Sequence, residues 1–137
     1  MKVALYLHFP YCVSRCTYCD FNAYEKPEGS HAQEQYLQAL LCDIRQTSKG
    51  GRFSIQTVFC GGGTPSLYSA QAISSVFDAC RQCFDWRPQE VTLEANPGTV
   101  SFAQLRELRE IGVNRLSLGV QALQGDLLRR LNRIHSP

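Results

Sequence analysis

The chain has 137 residues, 14 lysines and arginines against 12 aspartates and glutamates, and a formal net charge of +2. That length suits one domain with its own core, and basic residues scattered rather than blocked argue against a nucleic-acid or anionic-membrane surface. No apolar run is long enough to span a bilayer and the opening MKVALYLHFPYC is too short in apolar residues for a signal peptide, so the expectations are no nucleic acid, no integral membrane segment and a cytoplasmic location.

In chain order, the first strand is expected over residues 3–8, followed by the cysteine-bearing stretch HFPYCVSRCTYCDFN. A helix then opens at Ser30 with Gln33 three residues on, a capping-box pattern, and carries Tyr36, Leu37, Leu40, Leu41 and Ile44 on one face until Gly50-Gly51 stops it. A second strand over 55–60 leads to CGGGTP and a helix with Ile73, Val76, Phe77, Cys80 and Phe84 at helical spacing. The third strand, 90–95, precedes a helix from about Ser101 with Phe102, Leu105, Leu108 and Ile111 inward and Gly112 as its breaker. The fourth strand, 115–120, precedes a helix beginning near Gln124 with Leu127, Leu128 and Leu131. This βαβαβαβα order predicts an α/β fold of about four parallel strands with right-handed crossovers.

The strands also carry a polar face. Thr92, Glu94 and Asn96 alternate with Val91, Leu93 and Ala95, and Ser117, Gly119 and Gln121 alternate with Leu116, Leu118 and Val120. Tyr6 and His8 alternate with Leu5 and Leu7 in the same way, whereas the second strand is ambiguous. Period two puts each set on its own side, so helices are expected on the apolar side only. A barrel interior holding a polar ligand reconciles a polar face with burial. In α/β barrels the site lies at the carboxyl ends of the strands, which is where the cysteine loop, CGGGTP, EANP and GVQ fall.

Seven cysteines, an odd count without an export signal, argue for reduced thiols rather than a disulfide framework. Three of them, Cys12, Cys16 and Cys19, crowd one loop, where a metal is a better reason than a crosslink. Thiolates select iron–sulfur clusters, zinc or copper(I). Structural zinc wants four closed ligands, and Cys42, Cys60, Cys80 and Cys83 sit in other elements. A 4Fe–4S cluster held by only three cysteines keeps one iron open to a small molecule. A zinc site or an incidental group of cysteines is the blander alternative. Cys80 and Cys83 read as a core or surface thiol pair, Cys60 as packing, and His8, on the same side as Tyr6, as packing in preference to a contact with the cysteine loop.

CVSRCTYC resembles the C-x-x-x-C-x-aromatic-C motif of the radical S-adenosylmethionine enzymes, whose core is a partial (β/α)6 barrel. The resemblance implies that Cys12, Cys16 and Cys19 ligate a 4Fe–4S cluster, and that the remaining iron chelates the amino and carboxylate groups of S-adenosylmethionine. It also implies an electron donor for the cluster. LYLHFPYC, FCGGGTPS, LEANPGTV, GVNRLSLGVQ and LNRIH are similar to the branch containing oxygen-independent coproporphyrinogen III dehydrogenases and the HemW heme chaperones. Carried over residue by residue, this resemblance makes Tyr6, Tyr18, Gly62, Gly63, Thr64, Glu94, Gln121 and Arg133 the S-adenosylmethionine contacts. Without the resemblance, Tyr6 could be core packing and Arg133 a solvated charge.

The dehydrogenases typically carry a further cysteine two positions after the last ligand. Here that position is Phe21, the chaperone pattern. The resemblance therefore implies heme as a further cofactor of the full-length proteins and acceptor hemoproteins as partners, with oxidative decarboxylation of coproporphyrinogen III, or an inactive remnant, as the alternatives. It implies that residues 1–137 are the first part of a radical S-adenosylmethionine core domain. Such a piece is expected to expose a sheet edge, to reconstitute poorly and to aggregate.

Overall fold

A computed structural model describes residues 1–27 and 31–137. Strand β1 (Lys2–Phe9) leads into the two-residue strands β2 (Tyr11–Cys12) and β3 (Tyr24–Glu25), then helix α1 (Ala32–Thr47). Strand β4 (Ser54–Gly62), helix α2 (Ala70–Cys83), strand β5 (Asp85–Ala95), helix α3 (Phe102–Glu110), strand β6 (Arg115–Leu118) and helix α4 (Gly125–Arg130) complete the order. The main sheet runs β1-β4-β5-β6, every neighbouring pair parallel, and β2 pairs with β3 in a separate small ladder. The expected α/β architecture with four parallel strands is therefore observed.

The ambiguous strand resolves at one position. The register pairs Val3 with Ile55 and then Ala4 with Thr57, skipping Gln56. One extra residue shifts the alternation by a step. Ile55, Val58 and Cys60 thus all face the helices at 1% exposure or less, although their spacing breaks period two. Strand β5 answers with its own irregularity, pairing Trp86 with Ile55 and Glu90 with Thr57. Pro88 falls inside that break, where its missing N–H costs no ladder bond. That is why β5 begins at Asp85 rather than at residue 90. Strand β6 stops at Leu118 instead of 120.

Helix α2 puts Ile73, Val76, Phe77 and Cys80 wholly out of solvent contact against Leu7, Phe9, Val58, Cys60 and Leu93. Ile44 of α1 and Leu108 of α3 join the same core. The capping serine expected for α1, Ser30, lies outside the described residues, and His31 occupies the N-cap position. Phe102 corrects the reading of α3: it is 79% exposed. At 100° per residue it stands about 120° around the helix from the buried Leu108. Gly112 does end α3, at φ 114°, with Val113 N–H donating to Leu108 O (3.0 Å) and Gly112 N–H to Arg109 O (3.1 Å).

The other sheet face is polar and aromatic. Tyr6, Phe59, Thr92 and Arg115 stand in one transverse row, with Glu94 beside Ser117 in the next. Among the described residues no helix is long and apolar enough to cross a membrane.

Candidate functional site

The cysteine loop leaves β1 and returns on itself. Tyr24 N–H donates to Pro10 O (2.8 Å) and Lys26 N–H to Cys12 O (3.0 Å), closing the loop at its base. Inside it Cys19 N–H reaches Cys16 O (3.2 Å), and Arg15 N–H is taken by the Glu25 carboxylate (2.9 Å). His8 lies 2.8 Å from Asn22 O through Nε2. A carbonyl only accepts, so Nε2 carries the proton, and Nδ1 is left to accept from Tyr6 OH at 3.0 Å. His8 is thus a hydrogen-bonded bridge to the loop rather than packing alone.

The glycine turn after β4 is locked to the end of β1. Gly63 N–H donates to Phe9 O (2.8 Å) and Thr64 N–H to Tyr11 O (2.9 Å). A Cβ on Gly63 would come within 2.6 Å of the Pro10 backbone. Gly62 has φ 114°, and a Cβ there would meet the His8 ring at 2.4 Å. The glycines are demanded by the protein's own packing, before any ligand is considered. From β5, Glu94 Oε2 accepts Gly62 N–H at 3.2 Å.

Beyond β6, Gly119 N–H donates to Ala95 O (2.9 Å), and two tight turns follow, Val120 N–H to Leu118 O and Ala122 N–H to Val120 O. Gln121, at φ 66°, is the central residue of the second. Helix α4 then ends as α3 does, but with Asn132 in the left-handed position (φ 55°). Arg133 N–H donates to Leu128 O (2.9 Å) and Asn132 N–H to Arg129 O (3.1 Å). This reversal turns two side chains onto the site. Asn132 Nδ2 donates to Arg15 O (2.8 Å) and Ser14 Oγ (3.1 Å). The Arg133 guanidinium donates to Cys16 Sγ (3.1 Å), to Asn96 Oδ1 (2.5 Å) and to Gly119 O.

These elements enclose a cavity of about 330 Å³. Its wall includes Cys12, Cys16, Cys19, Tyr18, Gly62, Gly63, Glu94, Gln121 and Arg133, nine of the eleven residues singled out from the sequence. The other two stand off it. Tyr6 is bonded to His8, with its ring parallel to Phe59 at 6.2 Å. Thr64, 2% exposed, sits behind Cys12 and donates to its Sγ (3.4 Å). Burial holds the Cys12 thiol above the ordinary range, and the Thr64 hydrogen bond works the other way. Burial likewise raises the Tyr18 hydroxyl, with Cys16 adding to it.

Phe21, Asn96 and Ser117 also line the cavity. Asn96 was visible as a polar residue of the third strand, but only the fold shows it between Thr64 and Arg133. Among the described residues no three His, Cys, Asp or Glu side chains converge as ligands of a single metal ion. The three cysteines share one cavity wall.

A sequence profile of the radical SAM superfamily matches residues 6–137. The chain belongs to the radical SAM superfamily. This radical SAM chain is 40% identical over 137 residues to heme chaperone HemW of Escherichia coli (strain K12), covering 98% of the chain and 36% of that protein. It is 43% identical over 138 residues to the mitochondrial radical S-adenosyl methionine domain-containing protein 1 of Bos taurus, covering 98% and 30%. The solved structure described as coproporphyrinogen III oxidase (HemN) from Escherichia coli, a radical SAM enzyme, superposes with a TM-score of 0.88 at 30% identity, over 97% of this chain and 31% of that one. The chain spans about a third of the length of these relatives.

Proposed function

We propose that Cys12, Cys16 and Cys19 hold a 4Fe–4S cluster, and that the cavity beside them takes S-adenosylmethionine. The observation that carries this reading is the sharing of one cavity wall by three thiols, with Glu94 and Arg133 on the same wall. Three thiols leave one iron of a cluster open to a ligand, whereas structural zinc is closed by four donors. Thr64 and Arg133 each donate a hydrogen bond to one of these sulfurs, Cys12 and Cys16 respectively.

The cavity offers opposite charges to a zwitterionic ligand. Glu94 is the acceptor for an ammonium group, and Arg133 supplies positive charge toward a carboxylate. Gly62 and Gly63 bring bare backbone to the wall, Tyr18 an aromatic face and Gln121 an amide. In this reading Tyr6 and Thr64 act from behind the wall, through His8 and Cys12. A bound cluster would supply the electron that cleaves the sulfonium and releases a 5′-deoxyadenosyl radical.

We further propose heme delivery to acceptor hemoproteins as the biological setting, with an external electron donor for the cluster. Phe21 at the position of the dehydrogenases' extra cysteine supports it, as does the likeness to HemW. The fold likeness to coproporphyrinogen III oxidase favours a second reading, oxidative decarboxylation of coproporphyrinogen III.

The test is anaerobic reconstitution with iron and sulfide, followed by visible absorption and EPR with and without S-adenosylmethionine. The expected result is a cluster signal that S-adenosylmethionine perturbs and Cys16→Ala abolishes. Zinc uptake alone, or spectra indifferent to S-adenosylmethionine, would overturn the reading. Stoichiometric retained heme supports delivery; anaerobic turnover of coproporphyrinogen III supports the second reading.

A further inference from the structure

We propose that Arg133, Asn96 and Thr64 form a one-way hydrogen-bond relay onto Cys12, and that this relay sets the reduction potential of the iron–sulfur centre. The inference rests on the reading of Cys12, Cys16 and Cys19 as cluster ligands and adds Asn96 as a positioning residue.

The direction of every bond follows from what each group can do. A guanidinium only donates, so the Asn96 atom facing Arg133 at 2.5 Å is its carbonyl Oδ1. That orientation fixes the amide and turns Nδ2 toward Thr64, where it donates to Oγ1 at 3.0 Å. The Thr64 hydroxyl has one hydrogen, its oxygen already accepts from Asn96, and its remaining neighbour is Cys12 Sγ at 3.4 Å. Turning the Asn96 amide round would set its NH2 against the guanidinium, and a Cys12 thiolate bound to iron has no proton to give back, so the last bond runs from Thr64 to sulfur.

Thr64 is 2% exposed, which keeps water from substituting for it. The same guanidinium donates directly to Cys16 Sγ. One fixed positive charge therefore reaches two of the three sulfurs, the first directly and the second through two neutral groups. Hydrogen bonds to ligand sulfur favour the more electron-rich, reduced cluster, and burial strengthens them. Without the relay the potential becomes more negative.

The test is a mediated reductive titration, followed by EPR, of the full chain reconstituted with iron and sulfide. Thr64→Val keeps the shape and removes the donor. Asn96→Leu removes the link that orients it, and Thr64→Ser restores the hydroxyl. Expected are a roughly tenfold loss of preference for the reduced state in each of the first two, about 59 mV for a one-electron couple, and a near-native value for Thr64→Ser. Because both act on one path, Thr64→Val combined with Asn96→Leu shifts no further than Thr64→Val alone. An unchanged potential in Thr64→Val with its cluster intact, or additive shifts in the double variant, overturns the relay. So does loss of the cluster from both single variants, which would make these residues structural supports. A wild-type chain that loads no cluster overturns instead the reading of the three cysteines.

Discussion

At Gly63 the space for a side chain is already filled by the backbone at the end of β1. Gly63→Ala would press a methyl against Pro10, where the unsubstituted chain makes the Gly63–Phe9 and Thr64–Tyr11 backbone bonds. The expected cost is about 1–3 kcal/mol of stability, read as a lowered urea midpoint without ligand. An unchanged midpoint would mean that the glycine serves only a ligand. The buried thiols make a second residue-scale case. Burial pushes Cys80 up to about 12 and raises Cys60 as well, with Cys80 adding to the latter. In the unfolded chain both ionise near pH 8.5. Their contribution to stability is thus complete below that pH and is lost as pH rises toward the folded-state value. Each thiol steepens the loss by up to about 1.4 kcal/mol per pH unit. Urea midpoints measured from about pH 8 to pH 10 should fall with pH, and Cys80→Ala should flatten the slope. An unaltered slope in that variant would refute the assignment. The cysteine spacing and the glycine turn were legible because each is local. Asn96 was not, since its meaning lies in contacts with Thr64 and Arg133, 32 and 37 positions away.

Among the elements, α4 shows how a local rule aims a distant site. Its end needs a residue in the left-handed conformation, and asparagine tolerates this better than most. Asn132 then spends its amide on Ser14 and Arg15, tying the cysteine loop to the far end of the chain. Two substitutions separate these roles. Asn132→Ala should cost about 1–2 kcal/mol through the backbone, and Asn132→Gly should recover most of it. Both should speed amide hydrogen exchange across residues 14–17 alike. Slowed or unchanged exchange in Asn132→Gly would show that the side chain does not hold the loop. The stripe of α2 and the breaker after α3 could be read from sequence, because helical spacing and a left-handed glycine are signals within one element. The bulge at Gln56 could not, because an extra residue is defined only against its partners on β1 and β5. Phe102 misled for a related reason: it is apolar at an i, i+3, i+6 spacing, yet it stands about 120° around the helix from the buried Leu108, and only the packed sheet shows which side is covered.

For the molecule as a whole, the sheet is open at both sides among the described residues, with β1 and β6 each paired to one neighbour. The two edges differ. Along β1, the Tyr36 hydroxyl donates to His8 O (2.8 Å), and Lys2 begins the strand. Strand β6 is four residues long and ends at Leu118, which is 49% exposed, with Leu123 exposed beyond it. Unpaired strand backbone beside apolar side chains is a template for another chain, and a charge placed on it is a common natural defence. The 137-residue chain by itself should therefore associate through β6 as its concentration rises. Sedimentation velocity over a concentration series should show species heavier than the monomer. Leu118→Lys should return the chain toward the monomer, because lysine on an edge strand must be desolvated for pairing to occur. A wild-type chain that sediments as a monomer at every concentration would mean that four residues of edge are too few to pair. Association untouched by Leu118→Lys would move the contact to another surface, the open polar and aromatic face carrying Tyr6 and Phe59 being the next to examine.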